Sequence, residues 1–302
     1  MATAGAAWAL ACAGARAQGT HGAIRLVLGF SAGGAADRVA RVLGPELARL
    51  VGRGAIVENI PGANGARAIT RVAVSEPDGD TLLFATSAIA HPDHAAAMES
   101  LRPVILTSTT PIVLVVRASL PVRDARQFGR YLVAHPGTTY GSAGIGNPTH
   151  LCAAELVERL NARATHIPYS GTTPALADLL GGHIDFLMLG ANPALAQQGG
   201  VRMIAVSTRA RSRLAAFASL PTIGESMAPG FDFSLWQAVY APARVSASTV
   251  TTLHAQFREI LALGAVQSAL ADVGSEVGSG TTEDAERVYR AEVVRFRAAV
   301  SR

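Results

Sequence analysis

The sequence predicts an α/β protein of two lobes with mainly parallel strands, on three observations. Short β-rich runs alternate with helical patterns from residue 24 onward. Glycine- and hydroxyl-rich turns stand where several of these strands give way to helices. The chain is long enough for two units, and the pattern divides naturally with a crossing near residue 117 and a return near 241.

In order, Ile24–Leu28 reads as a strand, and Arg38–Leu50 as a helix with Val39, Val42, Leu43, Leu47 and Leu50 on one face. Gly44-Pro45 is expected to interrupt and kink that helix. Ala55–Glu58, Thr81–Thr86 and Ile112–Val116 are further strands, the last ended by Leu120-Pro121. Ala125–Ala134 reads as a helix and Thr139–Gly141 as a short strand. Leu151–Leu160, Thr165–Pro168, Ala175–Leu180, Ile184–Leu189 and Met203–Val206 continue the alternation. Leu235–Tyr240 precedes Pro242, and the remainder is mostly helical. The expected division is residues 1–19 as a signal peptide, 20–117 with 241–302 as lobe 1, and 118–240 as lobe 2.

Hydrophobic residues make up 49% of the chain and charged residues 16%, which supports a filled core and excludes disorder. The net charge of +4 is spread along the chain and carried by arginine without any lysine, so a nucleic-acid partner is not expected. The low aromatic content, 5%, argues against a stacking platform. Cys12 and Cys152 are the only cysteines, leaving no Cys-based zinc site. The apolar run from Ala6 to Ala13, with Ala15-Arg16-Ala17 before Gln18, fits a leader removed on export. A helical extension, or a lipid anchor on Cys12, are the other readings of that segment.

Phe30-Ser31-Ala32-Gly33-Gly34-Ala35-Ala36-Asp37 follows the first strand and opens the first helix. Its glycines let a ligand approach the backbone, and the helix start offers free N–H groups and a favourable dipole to an anion. The competing reading is a tight turn and nothing more. Gly29-Phe30-Ser31-Ala32-Gly33 also matches the G-x-S-x-G elbow of serine hydrolases. No strand precedes it to supply the second oxyanion-hole loop, and none of the downstream histidines sits in a distinctive pattern. A hydrolase is therefore not expected.

Tyr140-Gly141-Ser142-Ala143-Gly144-Ile145-Gly146-Asn147-Pro148-Thr149-His150 is a second strand-to-helix loop, without the lysine of a P-loop. It suits a polar ligand, although Asn147 or Thr149 could serve only as helix caps. Tyr169-Ser170-Gly171-Thr172-Thr173-Pro174 is a third. Open α/β sheets bind ligands at such strand ends. His91-Pro92-Asp93-His94 lacks further metal-ligand partners, and Asp178, Asp185 and Glu155 read as helix-face or turn charges.

Together these segments resemble the Bug receptor family, the periplasmic substrate-binding receptors of tripartite tricarboxylate transporters. FSAGGAADRVAR, VENIPGANGARA, PDGDTLL, YGSAGIGNPTHLCAAEL and HIPYSGTTPALADLLGGHIDF are similar to that family's blocks and stand in its order. RMIAVSTRARS, LPTIGE and WQAVYAPA complete the likeness.

The resemblance implies a two-lobed periplasmic-binding-protein (Venus flytrap) fold and an extracytoplasmic location. It also implies a small carboxylate ligand, integral-membrane transporter subunits as partners, a monomer, and neither catalytic residues nor cofactor. Phe30, Ser31, Ala32, Gly33 and Gly34 would receive the ligand from lobe 1, with Asp37 bracing their loop. Thr86 and Ser87 would face the cleft. Ser142, Gly144, Asn147 and Thr149 would close from lobe 2, beside Tyr169, Gly171 and Asn192. The VENIPGANG and PDGDTLL blocks read as structural turns. The chain departs from the family at Asp80, where an aromatic is usual, at Gly190, where an acid is common, and in a shortened stretch after Ile89. A sensor with the same clamp, signalling through a membrane partner, is the alternative function.

Overall fold

The structure, a computed structural model, describes residues 22–278 and 280–300, so the expected leader lies outside the described residues. In the first lobe, β1 (Ile24–Leu28), β2 (Ala55–Asn59) and β3 (Thr81–Thr86) run parallel in the order β2-β1-β3. β4 (Leu101–Arg117) is a 17-residue strand whose first part lies in this sheet. In the second lobe, β5 (Thr139–Ser142) is parallel to β6 (Thr165–Pro168) and to β7 (Phe186–Gly190). There the second part of β4 is antiparallel to β7 and to β8 (Val201–Val206). β9 (Ser234–Pro242) returns to lobe 1, antiparallel to both β3 and β4, and β10 (Glu276–Val277) adds to β4. The sheets are thus parallel in their outer strands and antiparallel around β4, a direction that local sequence does not encode.

The register moves the expected lobe boundaries. Pro111 pairs with Ser234 in the first sheet, while Ile112 pairs with Gly190 in the second. The chain therefore crosses inside β4 at Pro111–Ile112, not near residue 117. It returns ahead of β9 rather than near 241, because Leu235–Tyr240 pairs with β3 and β4.

The helices are α1 (Ala35–Val51), α2 (Ala66–Ala73), α3 (Ala95–Met98), α4 (Ala125–Ala134) and α5 (Pro148–Arg159). They continue with α6 (Thr172–Leu180), α7 (Ile223–Ser226), α8 (Ala247–Ala262), α9 (Gly264–Asp272) and α10 (Thr282–Val300). The expected interruption at Pro45 does not occur. The proline lies inside α1, which ends only at Gly52 with φ 70°. Alternation along β1 splits the lobe-1 core: Leu26 and Leu28 pack with Val39, Leu43 and Phe257, and Val27 packs with Ile69 and Val72 on the other face. In lobe 2, Leu114, Phe186 and Met188 pack on Phe128 and Leu156, while Val113 and Leu187 pack on Leu179. Each such buried side chain is worth about 1.5–3 kcal/mol. α10 straps the lobes together, with Ala285 in a lobe-1 cluster and Phe296 in a lobe-2 cluster. No helix among the described residues is long and apolar enough to cross a membrane.

Candidate functional site

A cleft of about 350 Å³ lies between the lobes, within the usual range for small-molecule sites. Its first wall is the turn from β1 into α1. Gly29 must be glycine, because a Cβ there would stand 2.5 Å from Gly65 Cα of the neighbouring turn. Gly33 has φ 84°, the left-handed region that glycine tolerates best. Gly34 caps α1 without any side-chain hydrogen bond, so the N–H groups of the first turn face the cleft uncapped.

Asp37 ties this turn down. Its Oδ2 accepts from Gly33 N–H at 2.9 Å and Arg41 Nε at 2.8 Å, and its Oδ1 from Arg41 Nη2 and Asn59 Nδ2, both at 3.0 Å. Asn59 also donates to Phe30 O at 3.0 Å. Burial alone would raise the Asp37 pKa, but the hydrogen bonds from Arg41, Gly33 and Asn59, with the Arg41 charge, hold it below the ordinary value. The VENIPGANG block is therefore a brace of the site as well as a turn.

The structure brings Phe30, Ser31, Ala32, Gly33 and Gly34 to the cleft with Asp37, Thr86 and Ser87. From lobe 2 it brings Asn147, Thr149, Gly171 and Asn192. Asn147 Oδ1 accepts from Thr149 N–H and Thr149 Oγ1 at 3.1 and 3.0 Å, and Thr149 Oγ1 accepts from Ala143 N–H at 3.1 Å. Their side chains hold the loop, as caps do, while standing in its wall. Asn192 likewise caps the turn after β7, accepting from Ala194 N–H.

Three expected residues are absent from the lining. Ser142 is fully buried, hydrogen-bonded to Gly144 O at 3.0 Å and to His166 Nε2 at 2.7 Å, so its hydroxyl points into lobe 2. Gly144 provides the turn at φ 126°. The Tyr169 hydroxyl donates to Asp178 Oδ2 at 2.7 Å, which draws it to α6. Behind this loop His150 and His166 stack at 4.0 Å; burial lowers both pKa values, and the charge of His150 helps take His166 to about 4.

Two residues of consequence escaped the sequence reading. Arg38 Nη1 donates to Gly33 O and Nη2 to Ala191 O, each at 3.0 Å, and the guanidinium reaches Val273 O at 3.4 Å. It stitches the first-lobe turn to the lobe-2 exit of β7 and the end of α9. Burial pulls its pKa down from the arginine value, against the nearby Asp37 charge. Its signal was a cation beside Asp37 in the loop-to-helix block. Gln237, a lone amide in an apolar strand, faces the cleft from β9. Outside the cleft lining, Asn64 Nδ2 donates to Ile145 O at 3.2 Å, a second bridge between the lobes.

The departures fall into place on this geometry. Asp80 pairs with Arg53 and does not line the cleft. His94, in the short stretch after Ile89, contacts Asn64 O through Nε2 at 3.2 Å, so that stretch backs the Asn64 bridge. Gly190 lines the cleft, where a Cβ would stand 3.0 Å from both Ala35 Cβ and Leu235 Cδ1. Ser31 reaches the cleft, but no histidine is among the lining residues, so the hydrolase pattern has no partner there. No metal-binding group of His, Cys, Asp and Glu occurs among the described residues.

Two α/β lobes joined through β4, with strand-end loops from both enclosing one cleft, define a solute-binding receptor of the periplasmic-binding-protein fold. The chain belongs to the tripartite tricarboxylate transporter receptor family, whose pattern matches residues 39–302. Protein BugT of Bordetella pertussis is 29% identical, the match covering 90% of this chain and 86% of BugT. An R. palustris protein solved with adipate superimposes with a TM-score of 0.85 at 28% identity, over 92% of this chain and 96% of that one. MatC from Rhodopseudomonas palustris with bound malate gives 0.82 at 29% identity, over 92% and 98%. The Bug-type resemblance of the sequence blocks and the reading as a receptor rather than an enzyme both stand.

Proposed function

We propose that this receptor captures a small carboxylate in the interlobe cleft, in the periplasm, and delivers it to integral-membrane transporter subunits. The observation that carries the reading is the uncapped start of α1, whose N–H groups face the cleft beside the Arg38 guanidinium. A carboxylate there meets backbone donors at the positive end of a 17-residue helix. Gly33 and Gly34, with Phe30, Ser31 and Ala32, receive it; Thr86, Ser87, Asn147, Thr149, Gly171 and Asn192 complete the enclosure. The relatives solved with adipate and malate support the ligand class. One chain supplies both walls, which suits a monomer.

Thermal unfolding with a panel of mono-, di- and tricarboxylates tests this. A ligand at about 100 times its Kd stabilises the folded state by about 2.7 kcal/mol, roughly a 4 °C rise in Tm for a chain of this length. No rise with any carboxylate would remove the ligand assignment.

A further inference from the structure

We infer that the floor of the cleft is an uncharged donor subsite, built by Gln237 and Ser87 with Thr86, which selects a carboxylate ligand whose second polar group is a hydroxyl or carbonyl rather than another carboxylate. The inference rests on the carboxylate reading above and adds the specificity of that site.

Alternation along β9 sends Trp236 and Ala238 into the lobe-1 core and turns Leu235 and Gln237 to the cleft. Gln237 is 1% exposed, yet it belongs to the cleft lining. Its Oε1 accepts from Ser108 Oγ at 2.7 Å and from Thr110 Oγ1 at 3.3 Å, and Thr110 Oγ1 is 2.7 Å from Ser275 Oγ. The amide orientation follows from Ser108, a fully buried hydroxyl that hydrogen-bonds only to Gln237 Oε1 among the described residues. Turning the amide over would leave that hydroxyl hydrogen unmet. Nε2 makes no hydrogen bond among the described residues and is the end of the amide left for the cleft.

Beside it, Ser87 is 0% exposed and its Oγ has no hydrogen-bond partner among the described residues. An unmatched buried hydroxyl in a binding wall is a group waiting for a ligand atom. Thr86 pairs with Gln237 in register across β3 and β9; its Oγ1 accepts from Ala88 N–H, and its hydroxyl hydrogen has no acceptor among the described residues. These donors are all neutral. The charged side chains in the lining are Asp37 and Arg38, and the Arg38 guanidinium is already engaged with the carbonyls of Gly33, Ala191 and Val273. Leu176, Leu189 and Leu235 contribute apolar wall. A second carboxylate at the floor would lose its hydration with no cation in return, whereas a hydroxyl or carbonyl oxygen would satisfy the donors without burying charge.

Calorimetric titration with chain-matched trios tests the inference: succinate, 4-hydroxybutanoate and butanoate, then adipate, 6-hydroxyhexanoate and hexanoate. In the better-fitting trio the hydroxy acid should bind at least about tenfold tighter than the diacid and the plain acid. Ser87→Ala removes a hydroxyl that no described residue hydrogen-bonds, so it should keep the wild-type melting curve and shrink that ratio. Gln237→Met should bring the ratio close to one. The inference is overturned if the diacid binds as tightly as the hydroxy acid in both trios, or if both variants keep the wild-type ratio. Binding of carboxylates without discrimination overturns this inference alone; failure of every carboxylate to bind overturns it together with the ligand class.

Discussion

Asp37→Ala is expected to lower stability by about 2–4 kcal/mol and to weaken ligand binding by about 100-fold. The carboxylate is buried, and its removal takes the tether from the N–H of the exposed Gly33 and costs the Asn59 amide one of its two acceptors. Arg41 is half exposed and recovers water, so its share of the loss is small. The loss in binding follows because the same bonds hold the turn that presents the α1 start. Asp37→Asn should recover little, since its amide nitrogen would meet donors. Urea unfolding and calorimetric titration check both numbers; a variant with wild-type affinity would show that the turn holds itself. The folded-state pKa of Asp37 is lowered, so its contribution is present above the unfolded value, about 3.9, and is lost as pH falls through the folded value. Between those two values the Ala variant should lose less stability on acidification than wild type.

Gly274→Ala should be comparably damaging, at about 2–4 kcal/mol, and should open the cleft. Gly274 has φ 85°, and a Cβ there would stand 2.2 Å from Ala191 O and 2.7 Å from Ala191 C. Those are backbone atoms, so no rotamer change can relieve the contact. Ala191 O also accepts from Arg38, and Ala191 N–H donates to Pro111 O at 2.8 Å, so a displacement at residue 191 pulls on the lobe-crossing point of β4. The expected result is a larger radius of gyration by small-angle scattering and a roughly 30-fold or greater loss of affinity. Unchanged scattering and affinity would mean that the contact between α9 and the β7 exit has no part in closure.

Local signals carried much of the fold. Ile24–Leu28, Thr81–Thr86 and Ala125–Ala134 form the elements expected of them, because β-branched runs and helical spacing act over a few residues. The first part of β4 was hidden. Pro103, Pro111 and the Thr107-Ser108-Thr109-Thr110 run lie ahead of the strand expected at Ile112–Val116, whereas in the sheet Thr107 donates to Gln237 O, and Ser108 and Thr110 to Gln237 Oε1. Register shifts between Pro103 and Ile105 and between Leu106 and Ser108 accommodate the irregular run. The lobe boundary was lost with it.

The site divides in the same way. The glycine turns announced themselves, since close backbone approach leaves glycine in the sequence. Whether a hydroxyl on such a turn faces ligand or lobe interior depends on partners far along the chain. Ser142 found His166 and Tyr169 found Asp178, so both turned away. Arg38 and Gln237 entered the cleft through contacts with Ala191 and Ser108, which no local pattern announces.

The most direct measurement is a crystal structure of the protein grown with the carboxylate that raises its Tm most. The ligand should lie between the lobes with its carboxylate oxygens within hydrogen-bond distance of the N–H groups at Gly34, Ala35 or Ala36. Density for the ligand outside the cleft, or in the cleft with its carboxylate turned away from the start of α1, would contradict the account.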